Sequence, residues 1–159
     1  NWLRRSYPNS PYSKESLYKT ALCYYNLSPP FDRDQEYTFK AIEAFQDFQN
    51  TYPSDSLYIP AGNYIKELRN KLAYRNYFVA SLYYRWLSYK SALVYIDFVL
   101  DDFPDSDYVE DAYWLKISIY KELKLFLDLK EILKDYRNKF PNGKYISQIN
   151  LLEKQLSNM

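Results

Sequence analysis

The sequence predicts an all-α fold, a superhelix of about seven helices arranged as antiparallel pairs. Three observations carry that expectation. Apolar residues recur at helical spacing, as in Leu17, Ala21 and Tyr24, and again in Ala41, Phe45 and Phe48. An aromatic-proline junction returns four times, as Tyr7-Pro8-Asn9-Ser10, Tyr52-Pro53-Ser54-Asp55, Phe103-Pro104-Asp105-Ser106 and Phe140-Pro141-Asn142-Gly143. No stretch alternates cleanly between turn glycines as strands do, for the chain of 159 residues has two glycines, Gly62 and Gly143.

Each junction has a mechanical reading. The aromatic closes one helix, proline cannot continue it, and Asn, Ser or Asp can cap the next. A tyrosine follows each proline by four or five residues: Tyr12, Tyr58, Tyr108 and Tyr145. Between the stops, helices are expected at about 10–27, 35–51, 57–87, 89–102, 106–124, 127–139 and 144–157. Ser10 before Pro11 reads as an N-cap with proline in the first turn. Asp107 with Glu110 reads as a capping box. Pro60 is tolerated near the start of the long 57–87 helix because first-turn N–H groups have no partner to lose.

The register within these helices identifies the repeat. Pro104 follows Ala92 by twelve residues, and Ala92 follows Tyr83 by nine. Pro141 follows Leu129 by twelve, Leu129 follows Tyr120 by nine, and Pro53 follows Ala41 by twelve. This aromatic, small residue, proline spacing is that of tetratricopeptide repeats, in which the small residue lets two antiparallel helices approach. The predicted domain is a single tetratricopeptide-like array over 1–159, with pairs at about 10–51, 57–102 and 106–139 and a closing helix at 144–157. Leu129, bulky at the small position, departs from the pattern. Trp2-Leu3-Arg4-Arg5 reads as the tail of a helix whose partner is missing, so the chain is expected to be an N-terminally truncated fragment, since a repeat needs its neighbours to bury a core.

Composition narrows the chemistry. There is no histidine, which removes Ser-His-Asp triads, Cys-His dyads and histidine-ligated zinc. One cysteine, Cys23, excludes an internal disulfide; it stands in the apolar run Ala21–Tyr25 and is expected to be buried and inert. Two glycines cannot write a phosphate-binding loop. With 21 basic and 20 acidic side chains, the net charge of +1 offers no field for nucleic acid. No run approaches the roughly 18 consecutive apolar residues of a membrane span. By contrast 20 tyrosines supply recognition surface. Carboxylate pairs such as Glu43 and Asp47 share a helix face without a cleft to oppose them, so no enzyme is expected, and no cofactor. The acidic set Asp101, Asp102, Asp105, Asp107, Glu110 and Asp111 lacks the glycine and glutamate of a calcium loop and suits helix first turns instead.

The stretch Leu68-Arg69-Asn70-Lys71-Leu72-Ala73-Tyr74, with Tyr77-Phe78-Val79-Ala80, Tyr83-Tyr84 and Tyr89, then Phe103-Pro104-Asp105-Ser106 and Glu110-Asp111-Ala112, resembles the BamD family. These are outer-membrane lipoproteins of the β-barrel assembly machinery. Tyr7 to Tyr12, Ala41 to Phe48 and Tyr52 to Asp55 are similar to it as well, so the likeness runs over roughly 1–140. The resemblance implies the family's later repeats, a periplasmic location at the outer membrane, and membrane attachment only through a lipid-bearing cysteine outside this chain. It also implies a non-catalytic scaffold whose partner is the barrel-inserting outer-membrane subunit, together with other assembly components. An alternative is a periplasmic tetratricopeptide protein of the cell-envelope division system, in which helices nearer about 15 residues are expected in place of 57–87.

In such an array the first helices line the concave face. The register then puts Tyr18, Leu22 and Tyr25 there from the first pair, Tyr77, Ser81, Tyr84 and Arg85 from the second, and Trp114, Ser118 and Lys121 from the third. Tyrosine, tryptophan and arginine combine large area with a polar tip, which suits them to hold a protein partner. Tyr18, Tyr25, Tyr77, Tyr84, Arg85, Trp114 and Lys121 are therefore the expected partner-binding residues. Lys66, Arg69, Lys71 and Arg75 read as a solvated helix face.

Overall fold

The structure, a computed structural model, describes residues 11–157. The Tyr7 junction, the Ser10 cap and the Trp2–Arg5 tail lie outside the described residues. Among those described there are seven helices and no strand: α1 (Pro11–Leu27), α2 (Glu36–Thr51), α3 (Tyr58–Arg85), α4 (Tyr89–Asp102), α5 (Val109–Glu122), α6 (Phe126–Lys139) and α7 (Ile146–Ser157). The fold is all-α. The expected 57–87 segment is one helix of 28 residues. Two compact units divide the chain, one ending at Leu72 and one beginning at Ala73.

In the first unit α1 and α2 pack together. Ala21, Ala41, Phe45 and Phe48 have no exposed surface. The two alanines let the backbones approach, and the two phenylalanines fill the space beside them. Cys23 is exposed, contrary to the expectation from its apolar run. The reason is rotation: Leu17 and Ala21, four apart, face the core, and two further residues turn the side chain about 200° around the helix.

The α1–α2 loop is held by a directed chain of hydrogen bonds. Lys71 donates to the Ser28 hydroxyl and to the Pro29 carbonyl, the latter at 3.0 Å. Ser28 meets Thr38 at 2.5 Å, and Thr38 donates to Gln35 Oε1 at 2.7 Å. Gln35 Nε2 then donates to the carbonyls of Pro30 and Arg33 at 2.8 and 2.9 Å. Lys71 thus leaves the solvated strip expected of it, and burial lowers its pKa against the opposing pull of Glu67.

In the second unit α4 packs on α5, α5 on α6, and α6 on α7. Ala80 and Ala92 are fully buried, as the repeat register requires. Leu129 is buried too, in a core with Ile117, Ile132, Leu133, Tyr136, Ile149 and Leu152. Its bulk is absorbed by that core, and α7 adds Ile149 and Leu152 to it.

The three described junctions share one backbone form. Asp55, Ser106 and Gly143 donate to the aromatic carbonyls of Tyr52, Phe103 and Phe140, at 3.2, 3.0 and 3.0 Å. Their own carbonyls accept from Tyr58, Val109 and Ile146 at 3.0, 3.4 and 3.2 Å. Each aromatic leaves the helical region, at φ −129° in all three, because the following proline disfavours helical backbone there. This double turn delays α5 to Val109, later than the expected 106. It also corrects the junction register, since Leu57 and not Tyr58 is equivalent to Tyr108 and Tyr145. The N-cap of α5 is Tyr108 and not Asp107, without a side-chain cap bond, and Glu110 turns to α6.

Candidate partner-binding face

In the first unit the expected face is a packed aromatic column. Tyr18 stands edge-on to Phe45 and Phe48, with ring centres 5.8 and 5.1 Å apart. Tyr64 stacks on Phe45 at 5.0 Å and meets Tyr25 edge-on at 4.7 Å. The Tyr25 hydroxyl donates to Glu67 at 2.7 Å. That bond, helped by burial, pushes the Tyr25 phenol up to about 12. Tyr18 and Tyr25 are therefore half-buried and braced by neighbours. Leu22 is half-buried as well.

In the second unit two rings of the face stack on junction tyrosines. Tyr108 lies between Tyr74 and Tyr77, at 5.1 and 6.0 Å, the second pair nearly parallel at 24°. Trp114 stacks on Tyr145 at 4.9 Å and 7°. These contacts form two stacks in the second unit, Tyr74 and Tyr77 about Tyr108, and Trp114 on Tyr145. Tyr84 meets Tyr89 at 5.8 Å, while Arg85 and Lys121 are exposed beyond it. Ser81 and Ser118 donate back to the carbonyls of Tyr77 and Trp114 at 2.9 Å, so their hydroxyls are spent within their own helices.

A polar network pins the second of these stacks. Asp111 accepts from the Tyr145 hydroxyl at 2.5 Å and from Lys144 Nζ at 2.7 Å. Glu110 accepts from the Tyr136 hydroxyl and the Lys144 backbone N–H, both at 2.5 Å. Burial, and after it Asp111, raises the Tyr145 phenol; burial and then Glu110 push Tyr136 up to about 12. Tyr25, Tyr136 and Tyr145 hold their protons at neutral pH and act as donors. Asp111 and Glu110, read from sequence as helix first-turn acids, are anchors for the next junction.

The sequence marked Tyr77 and Trp114 but not their neighbours Tyr74, Tyr108, Asp111 and Tyr145 in the second unit, nor Tyr64 beside Tyr25 in the first. A signal existed: Tyr108, Asp111 and Trp114 follow at three-residue steps along one helix face, and Tyr108 and Tyr145 were already marked by the junction pattern.

A family model described as an outer membrane lipoprotein, YfiO, matches residues 2–129. No curated protein matches the chain.

Proposed function

Since this chain belongs to the YfiO family of outer membrane lipoproteins, which is BamD-like, we propose that it is a non-catalytic scaffold acting in the assembly and insertion of β-barrel proteins. Its place is the periplasmic face of the outer membrane, and its partner is the periplasmic part of the barrel-inserting subunit. The observation that carries the reading is the pair of aromatic stacks, Tyr74 and Tyr77 about Tyr108 and Trp114 on Tyr145. Their rings are half-buried and locked against one another, so docking freezes few further rotamers and the exposed faces supply contact area. The 28-residue α3 supports this reading over the division-system alternative, for which helices of about half that length are expected.

Titration calorimetry of the chain with the periplasmic repeats of a barrel-inserting outer-membrane protein tests it. Micromolar binding is expected, weakened at least tenfold in Tyr77→Ala and in Tyr84→Ala. No heat and no co-purification at that concentration overturns the reading.

A further inference from the structure

The hairpin turns of the second unit end in bare hydrocarbon. The α3–α4 turn presents Trp86 and Leu87, 69% and 71% exposed; the α5–α6 turn presents Leu123, Leu125, Phe126 and Leu127, the last 85% exposed. The two turns are built alike. Leu87 donates to the Tyr84 carbonyl at 3.0 Å and Ser88 to that of Tyr83 at 2.9 Å; Lys124 donates to the Lys121 carbonyl at 3.1 Å and Leu125 to that of Tyr120 at 3.0 Å. In each, a residue with a side chain holds the left-handed backbone where glycine is preferred, Leu87 at φ 59° and Lys124 at φ 55°.

Both turns lie at one end of the packed helices. The chain leaves the first turn along α4 and returns along α5, and Lys116 on α5 pairs with Asp97 on α4 at 2.8 Å, near the middle of each. The edge is also cationic. Segments 85–90 and 121–127 carry Arg85, Lys90, Lys121 and Lys124 against Glu122, all exposed. The opposite end of the α4–α5 pair carries Asp101, Asp102, Asp105 and Asp107, exposed likewise.

We propose that this edge rests directly on a membrane surface containing anionic phospholipid, Trp86, Leu87 and Leu127 entering the interfacial layer and the flanking cations meeting lipid phosphates. Tryptophan and leucine beside lysine and arginine suit that layer, whereas the core of a protein-protein interface is depleted in lysine. The acidic end then faces away from the lipid. No described helix is long and apolar enough to cross a membrane, so the contact is peripheral. This inference rests on the second unit alone and is independent of the barrel-inserting partner.

Flotation of the 159-residue chain with vesicles of phosphatidylethanolamine and phosphatidylglycerol, compared with zwitterionic vesicles, tests it. The chain is expected to float with the anionic vesicles and to be released by salt. Trp86→Ser combined with Leu127→Ser should lower partitioning at least tenfold, and Lys124→Glu should lower it on anionic vesicles specifically. Leu151→Ser, at an exposed position on α7, should leave it unchanged, with circular dichroism comparing the fold of each variant. Brominated acyl chains should quench the fluorescence lost in Trp86→Phe. A chain that stays in the aqueous fraction with both vesicles overturns the proposal, as does equal flotation of the Trp86→Ser, Leu127→Ser variant. Loss of protein-partner capture in that variant without any vesicle binding overturns it in favour of protein docking.

Discussion

Tyr136 and Glu110 meet at 2.5 Å across α6 and α5, and the same phenol oxygen accepts the backbone N–H of Tyr145 at 3.0 Å. One fully buried hydroxyl therefore ties two helices and the junction that leads into α7. Tyr136→Phe keeps the ring in the core but strips a partner from the Tyr145 amide and from Glu110. The expected loss is about 1–3 kcal/mol, read as a lower urea midpoint with an unchanged slope. An unaltered midpoint would show that the hydroxyl contributes nothing.

Gly143 sits where that network closes. A Cβ built there would come against Glu110 Oε1, lie 2.5 Å from the Tyr136 hydroxyl and lie 2.8 Å from the Phe140 Cβ. Its φ is not positive, so glycine is needed for close approach and not for backbone freedom. Gly143→Ala must push apart groups already hydrogen-bonded, at a cost of about 1–3 kcal/mol in thermal unfolding. Asp55 and Ser106 stand at the equivalent positions of the other junctions, which shows that the turn itself accepts a side chain.

Gln35 is buried and holds the α1–α2 loop with both ends of its amide. Gln35→Ala leaves the carbonyls of Pro30 and Arg33 and the Thr38 hydroxyl without that partner. Destabilisation of about 2–3 kcal/mol is expected, with faster amide exchange in residues 28–35. Gln35→Glu retains the acceptor for Thr38 but cannot donate, and should recover only part of the loss.

Alkaline pH should weaken the fold between about pH 10 and 12. Tyr25 and Tyr136 are both pushed up to about 12, from an ordinary value of 10.0. The folded state holds these protons more tightly than the unfolded chain does. Their stabilisation is complete below pH 10 and is lost as pH rises toward 12. Denaturant midpoints measured across pH 9 to 12 should fall, and fall less steeply in Tyr25→Phe. A flat profile would contradict the hydrogen-bonded phenols.

What could be read from sequence was what short-range chemistry controls. Proline after an aromatic stops a helix wherever the chain is placed, so α2, α4 and α6 end at 51, 102 and 139, on the last residue before each junction aromatic. The alanines at 41 and 92 are buried because the repeat spacing leaves them at helix crossings. The BamD resemblance drew on the same local features, and the family match over 2–129 agrees with it.

The start of α5 escaped because Ser106 and Val109 are used in two successive turn hydrogen bonds after Phe103, a choice made between carbonyl and amide partners rather than by composition. Cys23 shows the same limit: an apolar run names hydrophobic residues, yet the rotation of α1 against α2 selects which of them meets the core. Lys71 looked like its basic neighbours until the loop at Ser28 folded over it.

From sequence alone came the all-α repeat, its punctuation and the supply of tyrosines for a binding surface. Tertiary structure alone decided which rings stack, which acid receives which phenol, and which turns leave Trp86 and Leu127 bare. Helix formation and termination depend on neighbours a few residues away. Ring stacking, burial and ion pairing depend on groups tens of residues apart, whose meeting is set by the packing of whole helices.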